Sequence, residues 1–210
     1  MGFGLLVIGY MMLFSVPFRG IDLPPDALAY VIMLLAVRQL GRYNARIKHS
    51  LYALPALIVC SALTLALQLA ASYGPDVPSM ALSALSLASM ALQLPFFILL
   101  LPGVGELCEE VKLPRLSGRA SLSLYLIISF DIFTVFVNLY IHGIIPPAAG
   151  ISAGALFALQ QLAGYAVRIF VLAFFVSCYM HITLEDEDEN YKPGFFEKLL
   201  EKQQRRKNRD

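Results

Sequence analysis

Between residues 122 and 143 the chain reads LSLYLIISFDIFTVFVNLYIHG, and its one carboxylate, Asp131, stands among isoleucine, phenylalanine and valine. An acid at a helix centre costs on the order of 2.5–3.5 kcal/mol on insertion scales, so it calls for a partner or a task. Thr134, Asn138 and His142 follow Asp131 at steps of three and four, along one helical face. The next apolar run carries Gln161, Gly164 and Arg168 at similar steps, with Gln160 and Tyr165 beside them. Two helices joined by GIIPPAAGISAG are antiparallel neighbours. Counted from residue 148, Asp131 lies 17 positions back and Arg168 20 forward, which puts them within roughly 4–5 Å of one depth.

Two kinds of chemistry follow from that placement. A carboxylate and a guanidinium at one depth can form a structural ion pair, with the other polar side chains as hydrogen-bonding supporters between helices. Alternatively, Asp131, Thr134, Asn138, Gln161, Tyr165 and Arg168 line a polar site through which a small solute, an ion or a proton moves. Asp131 would then carry the proton and Arg168 would hold an anionic group. Enzymatic patterns are missing: no G-x-S-x-G, no H-E-x-x-H, and no paired acids beside a histidine. His49, His142 and His181 stand apart, and Cys60, Cys108 and Cys178 form no C-x-x-C. Neither a metal nor another cofactor is expected, and the cysteines read as packing residues.

The elements that must position these residues are long and apolar. The 210-residue chain is 58% hydrophobic and only 15% charged, with mean hydropathy +0.69, whereas a soluble domain carries about a quarter charged residues. Six apolar segments, at about 3–17, 25–41, 51–73, 79–101, 120–142 and 155–182, predict an all-α polytopic bundle of six transmembrane helices in a domain spanning 1–183. A charged cytoplasmic tail, 184–210, follows. The N-terminal MGFGLLVIGYMMLFSV lacks a positive n-region and is expected to be a retained first span. Net charge is +1, which gives nucleic acid nothing to bind by bulk electrostatics. The partners expected are the bilayer, a membrane-protein partner or second copy, and anionic lipid under the tail. There GFFEKLLEKQQRRKNR sets Phe196, Leu199 and Leu200 ahead of a basic cluster.

Smaller signals refine the bundle. Ala62, Ala66 and Ala70, and then Ala81, Ala84, Ala88 and Ala91, form stripes that would let the third and fourth spans pack closely. Pro95 is expected to kink the fourth span, and GVGELCEEVKLPRLSGRA to hold a short interfacial helix. In the turn FRGIDLPPDALAY, Asp22 is placed to cap the second helix, Pro24 and Pro25 to enter its first turn, and Asp26 to sit near its positive end, with Arg19 paired to either acid.

The stretch GIDLPPDALAYVIMLLAVRQLGRYN resembles a group of uncharacterised bacterial inner-membrane proteins, mainly from Gram-positive species. In that group an I-D-x-x-P-D turn precedes the second span, and a basic segment ends it. Asp22, Pro25 and Asp26 match the turn, and Tyr30 ends a commonly Gly-Tyr pair whose glycine here is Ala29. The resemblance covers about 50 residues and implies a multi-pass protein of the cell (inner) membrane, with no activity to carry over.

Lysine and arginine set the orientation. Of 16 in all, Arg38, Arg42, Arg46 and Lys48 cluster at and after the second span, Lys112, Arg115 and Arg119 follow the fourth, and seven lie beyond residue 190. Both termini are therefore expected in the cytoplasm. Reporter fusions after residues 20, 76 and 148 should read outside, and fusions after 46, 112 and 205 inside. An opposite reading at 46 or 205 would overturn the orientation.

Overall fold

The computed structural model describes residues 2–14, 16–18, 21–23, 26–73, 79–141 and 152–182. Helix α1 (Gly2–Met12) leads through a two-stranded antiparallel hairpin, β1 (Val16–Phe18) and β2 (Ile21–Leu23), into α2 (Asp26–Leu40). After the short α3 (Ala45–Ser50) come α4 (Leu54–Tyr73), α5 (Ser79–Glu110), α6 (Pro114–Ile141) and α7 (Ala153–His181). Each of the six apolar runs is helical, but they are not equivalent. Four helical stretches, Ala45–Ala70, Leu87–Glu110, Pro114–Ile141 and Gly154–His181, are long and apolar enough to cross a membrane, which makes this a membrane protein. The 11 residues of α1 and 15 of α2 rise only about 16 and 22 Å, against a hydrocarbon core of about 30 Å. The first pair of expected spans is thus a hairpin of short helices.

Glycine sets how that hairpin packs. A Cβ on Gly2 would stand 2.8 Å from the Leu40 side chain, and one on Gly9 would stand 2.7 Å from Met33 and 3.1 Å from the Ala29 carbonyl. Helices α1 and α2 are therefore antiparallel and close enough for backbone to touch side chain. Along its other side α1 lies against the lower half of α7. The Gly4 position meets Tyr179, and the Tyr10 ring meets Phe175 edge-on at 5.3 Å. Tyr10 also meets Phe97 of α5 at 6.2 Å. In lipid, where burial from water no longer drives helices together, such shape-matched aromatic contacts hold the bundle.

Two further expectations change. Helix α5 continues through Pro95 and Pro102 to Glu110, and α6 starts at Pro114, so no separate interfacial helix forms between them. The glycines of that segment serve close approach instead: Gly103 abuts Ile47 of α3, and Gly105 abuts Ala120 of α6. Asn44 caps α3 by accepting from the amides of Arg46 and Ile47, while its own amide donates to Glu106, which also pairs with Arg46 at 3.1 Å. As for the alanine stripes, Ala62, Ala66, Ala70, Ala88 and Ala91 are exposed rather than packed between α4 and α5. The side chains of Ala81 and Ala84 lie outside the described residues, as does the tail from 183.

Replacing Gly9 or Gly103 by valine should lower thermal stability in detergent by about 1–3 kcal/mol, the usual penalty for overfilling a packed site. Gly118→Ala, in α6 with nothing within 4 Å of the added carbon, should leave it unchanged or raise it by about 0.5–1 kcal/mol. Equal tolerance at all three positions would contradict the close α1–α2 and α3–α5 packing.

Candidate functional site

The buried residues of α6 include Leu116, Ala120, Ser123, Ile127, Asp131 and Val137, a stripe at steps of three and four with one longer step. Asp131 belongs to that stripe at 8% exposure, and Thr134 lies one turn further on. Among the described residues the Asp131 carboxylate has no hydrogen bond and no ion pair. The Thr134 hydroxyl oxygen is buried and equally without a hydrogen-bond partner. Other hydroxyls in the bundle behave differently. Thr64, Ser123 and Ser177 each donate to the carbonyl four residues back in their own helix, at 2.7–2.9 Å. Asn138 donates at 3.0 Å to the main-chain carbonyl of Thr134, so its amide stays within α6. A carboxylate and a hydroxyl with unused hydrogen-bonding capacity therefore stand one turn apart on the interior face of a long helix.

Arg168 is not their partner. Its guanidinium donates through Nη1 to the carbonyl of Leu13, just past the end of α1, at 3.2 Å. It also acts electrostatically on the buried Tyr10 and Tyr30. The expected Asp131–Arg168 pair is not formed, for a physical reason that a depth count omits. One face of α7 meets two neighbours at successive levels. Gly164 meets Phe130 of α6, whereas Arg168, one turn further along that face, and then Phe175 and Tyr179 meet α1.

The broken hairpin gives Arg168 its task. At a helix end the last carbonyls lack donors. Here Leu13 N–H bonds the Tyr10 carbonyl at 3.2 Å and Phe14 N–H the Met11 carbonyl at 3.1 Å, and Arg168 supplies a donor to Leu13. A cation beside the negative end of the α1 dipole is favourable as well. Arg168 is the sixteenth of the 29 residues of α7, so α1 stops near the middle of a spanning helix. Around this end sits a second polar group. Tyr30, 1% exposed, accepts a hydrogen bond from Gln93 of α5 and feels the charge of Asp26 at the start of its own helix.

The remaining expected residues divide. Gln161 and Tyr165 are exposed and do not line the interior. Both lie beyond the level at which α1 ends, at the edge of the buried arc of α7. Asp26 is the first residue of α2, in its acidic first turn. Asp22 lies in β2, opposite Pro17, three residues ahead of the position that would cap α2. Arg19, Pro24, Pro25 and His142 lie outside the described residues. Tyr10 and Gln93, which no motif marks, belong to the polar group; the signal available was that each is a polar side chain inside an apolar run. Cys108 and Cys178, 70 positions apart, bring their sulfurs to 3.9 Å as reduced, buried thiols between α5 and α7. Among the described residues no group of histidine, cysteine or acid side chains could hold a metal.

Because Asp131 and Arg168 share no partner, Arg168→Gln and Asp131→Asn should act additively, within about 0.5 kcal/mol, on thermal unfolding in detergent. Arg168→Gln should cost about 1.5–3 kcal/mol through the lost charged hydrogen bond. Asp131→Asn should cost nothing or stabilise. Strong non-additivity would mean that the two charges meet. Comparisons of the chain with protein-family models, with curated proteins and with solved structures found no match, so its function is argued from this geometry alone.

Proposed function

We propose that the protein is a multi-pass protein of the cell (inner) membrane, with both termini in the cytoplasm, that moves a proton or a small solute past Asp131. One observation carries this reading: a buried carboxylate in α6 that no described protein group neutralises, with the buried Thr134 hydroxyl, also unbonded among the described residues, one turn away. Ionisable residues inside spans are expensive and characteristically serve proton relays or substrate paths. Asp131 takes up and releases the proton, and Thr134 offers the next oxygen along the same face. Helix α1, which stops beside the middle of α7 and gives way to a β-hairpin, supports the same reading, since helices that stop short within the bundle recur where transporters bind their cargo. Translocation is preferred to a scaffold held by an Asp131–Arg168 ion pair because the two charges have separate surroundings. The resemblance carried by Asp22, Pro25 and Asp26 favours the same membrane and adds no activity.

Purified protein in liposomes should dissipate an imposed proton gradient or take up a cation or small polar solute. Asp131→Asn should reduce that flux at least about tenfold, which corresponds to about 1.4 kcal/mol, while melting no lower than the native protein. Thr134→Val should reduce it less. Native flux in the Asp131→Asn liposomes would remove the carboxylate from the path. No flux from any of the proteins would return the scaffold reading, with a membrane-protein partner or second copy to be sought.

A further inference from the structure

At the opposite end of the bundle from the α6–α7 connection, a cavity of about 370 Å³ opens between the start of α6 and the end of α7. Lys112, Arg115, Arg119 and His181 line it, together with the apolar Leu113 and Leu116. Among the described residues none of the three long basic side chains has an ion pair. The nearest acid in sequence with a defined partner, Glu109, accepts from the Ser117 hydroxyl at 2.6 Å, and Glu110 is exposed beside it. His181 donates Nδ1–H to the Ser177 carbonyl at 2.8 Å, which leaves Nε2 as its free ring nitrogen. Four basic groups thus surround a space with an apolar wall.

The backbone at Lys112 has the mark of a placed residue. Helix α5 ends with Leu113 N–H bonded to the Cys108 carbonyl and Lys112 N–H to the Glu109 carbonyl, the paired bonds of a Schellman ending. That motif needs a left-handed residue, usually glycine, and here Lys112 adopts φ 61°. Strained positions of this kind cluster at functional sites. A lysine in the strained position, beside the first turn of α6, brings one more positive charge to the cavity wall, where the N-terminus of α6 favours an anion and the basic side chains outweigh the opposing C-terminal end of α7.

We infer that this cavity binds a phosphate group, carried by the headgroup of an anionic phospholipid or by a soluble phosphoanion. Its volume is within the range of small-molecule sites. Arg115 and Arg119, one turn apart on α6, supply forked donors suited to phosphate oxygens, and Lys112 supplies a point charge. The apolar wall suits the first carbons of a lipid glycerol backbone, and basic pockets between spanning helices at the cytoplasmic end are where anionic headgroups bind. The distribution of lysine and arginine assigns this end to the cytoplasm. The site is separate from Asp131 and does not rest on the translocation reading.

The test is thermal unfolding and binding of the full chain in non-ionic detergent, with three additions: inorganic phosphate, micelles doped with phosphatidylglycerol, and micelles doped with phosphatidylcholine. Phosphatidylglycerol should raise the melting temperature and phosphatidylcholine should not. A shift with inorganic phosphate as well identifies a general phosphate site, and a shift with phosphate alone identifies a soluble ligand. The double variant R115Q/R119Q should bind about tenfold or more weakly, since each basic residue contributes about 1 kcal/mol. Lys112→Gly separates function from packing: it should melt higher than the native protein, because glycine suits φ 61°, yet respond less to the anion. The acidic run 185–189 follows α7 closely, and a variant with these five acids made neutral guards against its filling the cavity. An equal shift with phosphatidylcholine, an undiminished response in R115Q/R119Q, or binding that exists only after neutralising 185–189 would each overturn the proposal.

Discussion

The hydrogen bond from Arg168 to the Leu13 carbonyl fixes the architecture around it. A helix that ends inside a membrane leaves carbonyl groups where water cannot serve them, and each unserved group costs several kcal/mol. Helix α1 ends after 11 residues, beside the middle of the long apolar helix α7. The Tyr10 and Met11 carbonyls are met by a tightened last turn and the Leu13 carbonyl by one guanidinium from α7. The contacts at Gly2, Gly4 and Gly9 then become intelligible as the means by which α1 is held against α2 and α7 on the line that brings Leu13 to Arg168.

With Arg168 engaged by α1, Asp131 is left to the α6 side of the same layer. The two charges have separate surroundings, Arg168 bonding the end of α1 and Asp131 standing on α6 without a partner among the described residues. One closes a main-chain hydrogen-bond deficit and is structural. The other has no such debt to settle, which is why it is the better candidate for chemistry. Tyr30 and Gln93 extend the structural group from α7 to α2 and α5, so polar contact ties three helices together around the end of the fourth.

Much of this was legible in the sequence, and what was not has identifiable causes. Continuous apolar runs located every long helix, and the steps from Asp131 to Thr134 placed both on one face, as found. Hydropathy could not say where α1 stops, because residues 13–18 remain largely apolar after the helical bonds cease. Nor could it find the partner of Arg168, since a backbone carbonyl leaves no mark in sequence. Side-chain spacing put Gln161 and Tyr165 near Arg168, but their exposure depends on where α1 ends. The glycines at 103 and 105 resemble a chain break and act instead as contact surfaces inside one helix. Finally, nothing along the chain announces that Cys108 and Cys178 meet.

The Arg168–Leu13 bond joins residues 155 positions apart, and that span sets a schedule for biogenesis. The ribosome delivers the first helical hairpin well before it makes the arginine that secures it. At synthesis rates of about 5–20 residues per second the interval is roughly 8–30 s. During it, two helices too short to cross the bilayer must wait at its surface or in the shelter of the insertion machinery. Assembly therefore runs opposite to translation: α7, made long after α1, is the template on which the first helix settles. A chain that stalls before α7 presents membrane proteases with an unanchored N-terminal hairpin, an intrinsic flag for incomplete copies.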